Sequence, residues 1–120
     1  MVFERLAEES FCYLTTTGRV SGKSHTIEIW FAMDGGRLYM LSGGGDRADW
    51  VKNIRQDPRV RVRVGSRTVA GRARILRSGT KDDERARRLL DAKYMDWREG
   101  KRLSAWARGA RPVAVSFPAR

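Results

Sequence analysis

The chain has 120 residues, of which 25 are Lys or Arg and 14 are Asp or Glu, for a formal net charge of +11. That length suits one domain, residues 1–120, and a hydrophobic share of 41% excludes an intrinsically disordered chain. A single cysteine and a single histidine exclude an intrachain disulfide and any cysteine- or histidine-rich metal site, and no apolar run approaches the roughly 20 residues that span a bilayer. The opening "MVFERLAEES" carries acids where a secretory signal carries basic and apolar residues, so the expected compartment is the cytoplasm. The charge points to an anionic partner: nucleic acid, a phospholipid surface or a phosphorylated cofactor.

In chain order, residues 3–9 read as a short helix with Phe3, Leu6 and Ala7 on one side, and residues 12–16 as a strand. A loop of small and basic residues, 18–23, leads into a longer strand over 24–32. Its alternation sets Ile27, Ile29 and Phe31 on one face and Thr26, Glu28 and Trp30 on the other. "MDGGR" signals a tight turn into a returning strand over 37–41. Asp46 is placed to cap a helix with Ala48, Val51 and Ile54 inward, and Pro58 stops it. Residues 59–64 alternate arginine outward and valine inward. A turn at Gly65–Arg67 then leads to a strand over 68–76 with Val69, Gly71, Ala73 and Ile75 on one face. Thr80 and Asp83 have capping-box spacing before an amphipathic helix striped by Ala86, Leu89, Leu90, Tyr94 and Trp97. A short helix in "KRLSAWARGAR" and a last strand over 112–117 complete the chain. About six antiparallel strands with short flanking helices predict a mainly β (α+β) fold, a small closed barrel.

These residues do not assemble a nucleophile, base and orienter, and "GGGDRADW" lacks the Lys-Ser/Thr ending of a P-loop. Cys12, entering a strand, reads as an inert buried thiol. A cofactor therefore has to carry any redox chemistry, with the protein supplying orientation and charge. Backbone N–H groups around Ser21 and Gly22 can form an anion nest, flanked by Arg19 and Lys23. "SGGG", Ser42 to Gly45, removes side chains where a flat ring or phosphate could approach. The helix opening at "DWVKN" favours an anion at its N-terminus. Each feature also has a plainer reading: basic hairpin, flexible connection, core tryptophan.

Three ordered pieces, "TTTGRVSG", "LSGGGDRADWVKNIRQDPRVRVRVG" and "GRARIL", followed by "SAWARGARPVAV", resemble the deazaflavin-dependent nitroreductase family of the split-barrel flavin-binding superfamily. The resemblance implies a split β-barrel that binds a reduced deazaflavin, coenzyme F-420 (8-hydroxy-5-deazaflavin), and passes hydride to an organic acceptor. It assigns the cofactor side to Arg19, Ser21, Gly22, Lys23, Ser42, Gly43, Gly44, Trp50, Lys52 and Asn53. The Gly22 and Gly44 amides are expected to converge with Arg19 on one pocket.

The chain departs from the family pattern at Val20, His25 and Gly43, where members carry basic residues, and this keeps FMN as the alternative cofactor. It also has Trp97, Gly100 and Leu103 where nitro-reducing members space tyrosines. A quinone or other planar electron-poor acceptor, in a pocket around Trp30, Trp97 and Trp106, is therefore expected instead of a nitro drug. Glu28 is the candidate to bond the ring or relay a proton if its face looks into the cleft; solvent is the other reading. Tyr94 is the candidate replacement proton donor, or else a core tyrosine. The same barrel could be a non-catalytic cofactor or lipid carrier. Nucleic-acid binding by "RVRVRVGSR" is the least favoured reading, because no ordered aromatic ladder accompanies it. A homodimer is expected by resemblance.

Overall fold

Alternation of period two makes the strands, and one strand that breaks makes the architecture. The computed structural model describes residues 3–118. It holds β1 (Cys12–Thr17), β2 (Ser24–Ile29), β3 (Ala32–Asp34), β4 (Arg37–Ser42), α1 (Asp49–Gln56), β5 (Arg59–Val64), β6 (Arg67–Ile75), α2 (Lys81–Tyr94), α3 (Ala105–Gly109) and β7 (Arg111–Ser116). All seven strands form one antiparallel sheet in the order β2-β1-β5-β6-β7-β4-β3.

The run expected as one strand over 24–32 is two strands, which accounts for seven in place of about six. The interruption at Trp30–Phe31 has a physical cause. The Phe31 N–H donates to Tyr94 Oη at 3.1 Å, while its carbonyl accepts from Lys93 Nζ and Tyr94 Oη, both at 3.0 Å. With those backbone groups turned toward α2, the chain leaves β1 and pairs with β4. Consequently the two outermost strands are consecutive in sequence. Three peptide steps of about 3.8 Å keep the end of β2 within about 11 Å of the start of β3, so the sheet has to curl. No ladder joins β2 to β3 among the described residues, so the curled sheet is the split barrel that the resemblance implies, and the full closure read from the strand pattern alone is not made.

The inward face is Leu14, Val60, Val62, Val64, Leu38, Met40, Val113 and Val115, with Phe31 and α1's Ile54 packed among them. The six-residue alternation of β5 is realised in full, arginines exposed and valines buried. A second core lies on the opposite face of β4 and β7. There Tyr39, Leu41 and Ala114 meet Ala86 and Leu90 of α2 and Ala107 of α3. The Gly35–Gly36 turn has φ values of 58° and 79°, the left-handed pair that a two-residue hairpin requires.

Two capping expectations change in detail. Asp46 does not cap α1; it sits in a 3-10 turn at Gly45–Arg47 and accepts from Arg55 at 2.9 Å and Arg111 at 3.1 Å. Ala48 occupies the cap position instead, without a side-chain bond. Thr80 does cap α2, accepting from the Asp83 N–H, but Asp83 reaches back to the Gly79 N–H and not to its own cap residue. The 3–9 helix shortens to a 3-10 turn, Glu4–Leu6, and Trp97 falls beyond the end of α2.

Candidate functional site

Two cavities are lined by residues of β2. The first, about 470 Å³, is lined by Thr16, Gly18, Arg19, Val20, Ser21, His25, Thr26, Ile27, Asp49, Trp50 and Asn53. The second, about 520 Å³, is lined by Glu28, Ile29, Trp30, Leu41, Met95 and Trp106. Ile27 and Glu28 are successive residues, so one strand edge carries a polar compartment at its start and an aromatic one at its end.

The polar cavity is built by a lock between the 18–23 loop and α1. Asn53 is buried, its Nδ2 donating to Thr16 Oγ1 at 3.1 Å while its Oδ1 accepts from the Arg19 N–H at 3.2 Å and Arg19 Nη1 at 2.8 Å. Arg19 also donates to the Asp49 carbonyl at 3.5 Å and to Asp49 Oδ1 at 3.2 Å. Asp49 and Asn53 are four apart in α1 and share a helix face, and that spacing was the sequence signal for this missed partner. Of the five guanidinium N–H donors, three are spent here. Gly18 lets the exposed His25 ring lie close over the loop: a Cβ there would sit 2.6 Å from His25 Nε2 and would push that ring aside.

The Gly22 and Gly44 amides do not converge on this cavity. The Gly22 N–H donates to the Gly18 carbonyl, and Ser21 Oγ accepts from the Lys23 N–H, so the loop closes on itself. Gly44 packs toward Ala48, and Lys23 and Lys52 are exposed off the lining. Arg19, Ser21, Trp50 and Asn53 are thus brought together, and Gly22, Lys23, Ser42, Gly43, Gly44 and Lys52 are not among the lining residues. Ser42 is buried with its Oγ donating to the Gly45 carbonyl. Gly43 faces the other cavity's wall, since a Cβ there would sit 4.0 Å from Trp106.

In the aromatic cavity, Tyr94 stacks on Trp30 with centroids 4.3 Å apart and planes 3° from parallel, and Trp106 meets Trp30 edge to face at 5.4 Å. The Tyr94 hydroxyl is engaged by the Phe31 N–H and by the Ser10 and Phe31 carbonyls. Burial raises its pKa, opposed by the bond from Phe31. Lys93 donates to the carbonyls of Ala7, Glu9 and Phe31 and covers the Phe31 ring at 3.8 Å; burial lowers its pKa against the pull of Glu8 and Glu9. On the far wall, buried Asp91 accepts from the Ser104 N–H at 2.7 Å and Ser104 Oγ at 2.6 Å, which fixes the start of α3 and hence Trp106. Trp97 is not on the lining; its indole N–H donates to the Lys101 carbonyl. Glu28 is exposed and lies on the lining, accepting from the Tyr13 hydroxyl at 3.4 Å.

Cys12 is buried and burial pushes its thiol up to about 12, partly offset by Lys93, so it is not a nucleophile at neutral pH. Among the described residues there is no metal-ligating cluster, and no helix is long and apolar enough to cross a membrane.

Residues 2–115 match the model of a family described as F420H(2)-dependent quinone reductase. Three solved structures share the fold. An F420-H2-dependent reductase, FDR-A, matches with TM-score 0.69 and 22% identity over 90% of this chain and 95% of its own. A protein described as a domain-swapped dimer matches with TM-score 0.69 and 23% identity over 90% and 81%. HutZ, a heme storage protein from Vibrio cholerae, matches with TM-score 0.75 and 9% identity over 98% and 89%.

Proposed function

The chain belongs to the F420H(2)-dependent quinone reductase family, and from that premise we propose that it binds reduced coenzyme F-420 along β2 and reduces a quinone or similar planar acceptor. The observation that carries this reading is that a polar, arginine-bearing cavity and a tryptophan-walled one are both lined by residues of β2 and its end. A ligand with a charged end and a flat aromatic end matches that order. Reduced deazaflavin, when bound, supplies a hydride from its central ring carbon.

The residues divide the work by chemistry. Arg19, already oriented by Asp49 and Asn53, offers its two uncommitted N–H groups to a phosphate with little further ordering cost. His25 and Ser21 line the same cavity, and exposed Lys23 and Lys52 add to the local positive field. Trp50 walls the polar end. Gly43, following Ser42 at the end of β4, leaves backbone open beside Trp106, while Gly44 packs on Ala48 at the approach to α1. Trp30 and Trp106 hold a flat acceptor and exclude water, which favours transfer by proximity. Glu28, exposed on the lining of the aromatic cavity, relays the proton that reduction of a quinone consumes. Tyr94 acts through its ring, as the support of Trp30, because its hydroxyl is held by backbone. The free edges of β2 and β3 and the domain-swapped neighbour support a homodimer.

Equilibrium fluorescence titration tests the cofactor, with tighter binding of deazaflavin than of FMN expected. Loss of reduced-deazaflavin absorbance on adding a quinone tests the reaction. Failure of both cofactors to bind rejects the reading. Binding without oxidation across a quinone panel favours a carrier on the same barrel, a reading that the lack of a free tyrosine hydroxyl at the aromatic cavity supports.

A further inference from the structure

Lys93, in the last turn of α2, spends all three of its ammonium donors on main-chain carbonyls: Ala7 at 2.9 Å, Glu9 at 2.7 Å and Phe31 at 3.0 Å. The first two belong to the segment that leads into β1, and the third to the break between β2 and β3. Tyr94, next in sequence, holds the same two segments, at the carbonyls of Ser10 and Phe31. The end of α2 is thus a clasp that gathers two stretches of chain distant in sequence.

Trp30 lies where those stretches meet. On one side of it Ile29 pairs with Cys12, at the end of the clasped segment. On the other side the Phe31 peptide is bonded to Lys93 and Tyr94. The backbone of Trp30 is therefore fixed through both of its neighbours, while its ring stacks on Tyr94 and meets Trp106 edge to face. Satisfying the strand break does not by itself require the lysine, because Tyr94 Oη already meets both the N–H and the carbonyl of Phe31. The ammonium adds a second, charge-assisted bond to that carbonyl and ties it to the Ala7 and Glu9 carbonyls through one point. Two bonds to one carbonyl resist the peptide rotation that a single hydroxyl permits, and that peptide sets the direction in which the Trp30 side chain leaves the chain. The Phe31 ring, 3.8 Å from the ammonium, closes the clasp.

We propose that Lys93 is a positioning residue for the aromatic cavity: by clasping residues 7–9 and the Phe31 carbonyl to α2, it fixes the Trp30 wall against which a flat acceptor lies. Lys93 is not on the lining of that cavity, so it acts through Trp30 and not by touching a ligand. The setting of Trp30 stands on the geometry alone; its consequence for the acceptor rests on the function proposed above.

The test has a structural arm and a functional one, both on the full chain. Lys93→Met keeps the aliphatic stem and removes the donors; Lys93→Gln replaces it if that variant does not fold. With fluorotryptophan incorporated, the Trp30 fluorine signal, assigned by its loss in Trp30→Phe, is expected to shift in Lys93→Met while that of Trp50 in the polar cavity stays. An unmoved Trp30 signal, or equal shifts at both tryptophans, overturns the proposal. In the functional arm, menadione affinity read by tryptophan quenching without cofactor is expected to fall about fivefold, with acceptor KM raised to match and kcat nearly unchanged. Val62→Ala, a truncation in the β5 core, is expected to leave KM in place. An equal rise in KM there, or a fall in kcat with KM unmoved in Lys93→Met, also overturns the proposal. If the unaltered chain binds no menadione, the function proposed above falls, and the fluorine signals alone decide whether Lys93 sets Trp30.

Discussion

The two ends of β2 are built by opposite means. At the polar end, side chains hold side chains: Asn53, Thr16, Arg19 and Asp49 form a chain of hydrogen bonds between a loop and a helix. At the aromatic end, side chains hold backbone: Tyr94 and Lys93 grip the carbonyls and N–H at the strand break, and Asp91 grips the start of α3. The difference teaches which parts of a cleft tolerate change. A side-chain network can be edited one partner at a time. A backbone anchor moves everything that follows it in the chain.

Asp91→Ala breaks this comparison hardest. It strips two short bonds to a buried carboxylate and frees α3, so a loss of about 2–4 kcal/mol in urea unfolding is expected, with Trp106 fluorescence shifting toward that of a solvated indole. Asn53→Ala is the polar-end counterpart. It leaves the Thr16 hydroxyl and Arg19 N–H without their partner and should cost about 1–3 kcal/mol. Its signature is weaker cofactor binding with an unchanged acceptor KM, and a raised acceptor KM would contradict the division of labour.

Trp30→Ala and Tyr94→Phe sharpen the aromatic end. Removing the indole should raise acceptor KM about tenfold, equivalent to about 1.4 kcal/mol. Tyr94→Phe keeps the stacked ring and loses only the hydroxyl bonds, so a stability loss of about 1–2 kcal/mol with KM nearly unmoved is expected. A collapse of kcat in Tyr94→Phe with stability intact would make the hydroxyl catalytic after all.

Acid gives the smallest effect. Hydrogen bonds from Arg59 hold the Asp57 carboxyl down at about 2, from an ordinary value of 3.8. Burial acts against Asp46, but Arg111 and Arg55 outweigh it and keep that carboxyl below its usual range as well. Both groups have depressed folded-state pKa values, so their contribution is present above about pH 4 and is lost as pH falls toward about 2. Thermal melts across that window should show a step that Arg59→Gln reduces. An unchanged step in that variant would assign it to other carboxylates.

Legibility followed the range of the interactions. The β5 alternation and the stop at Pro58 were readable to within a residue or two, because each depends on neighbours in sequence. The break at Trp30–Phe31 was not readable. "IEIWFA" has unbroken strand character, and what breaks it is a pair of α2 side chains more than 60 positions on. Asp46 misled for the same reason: its position suits a cap, but Arg111, 65 residues away, competes for it. In the site, Trp30 and Trp106 were expected together and are together, whereas Trp97 was expected with them and is spent on Lys101.

By itself, then, the sequence determined periodicity, turn positions, the chain's own positive charge and, through ordered motifs, the family. Only the tertiary structure decided where the sheet stays open, which arginine N–H groups remain for a ligand and whether Tyr94 offers a proton. Those properties belong to pairs such as Arg19 and Asn53, 34 residues apart, or Phe31 and Tyr94, 63 apart. No local pattern specifies such pairs, because a polar side chain's role is set by whichever partner the fold delivers to it.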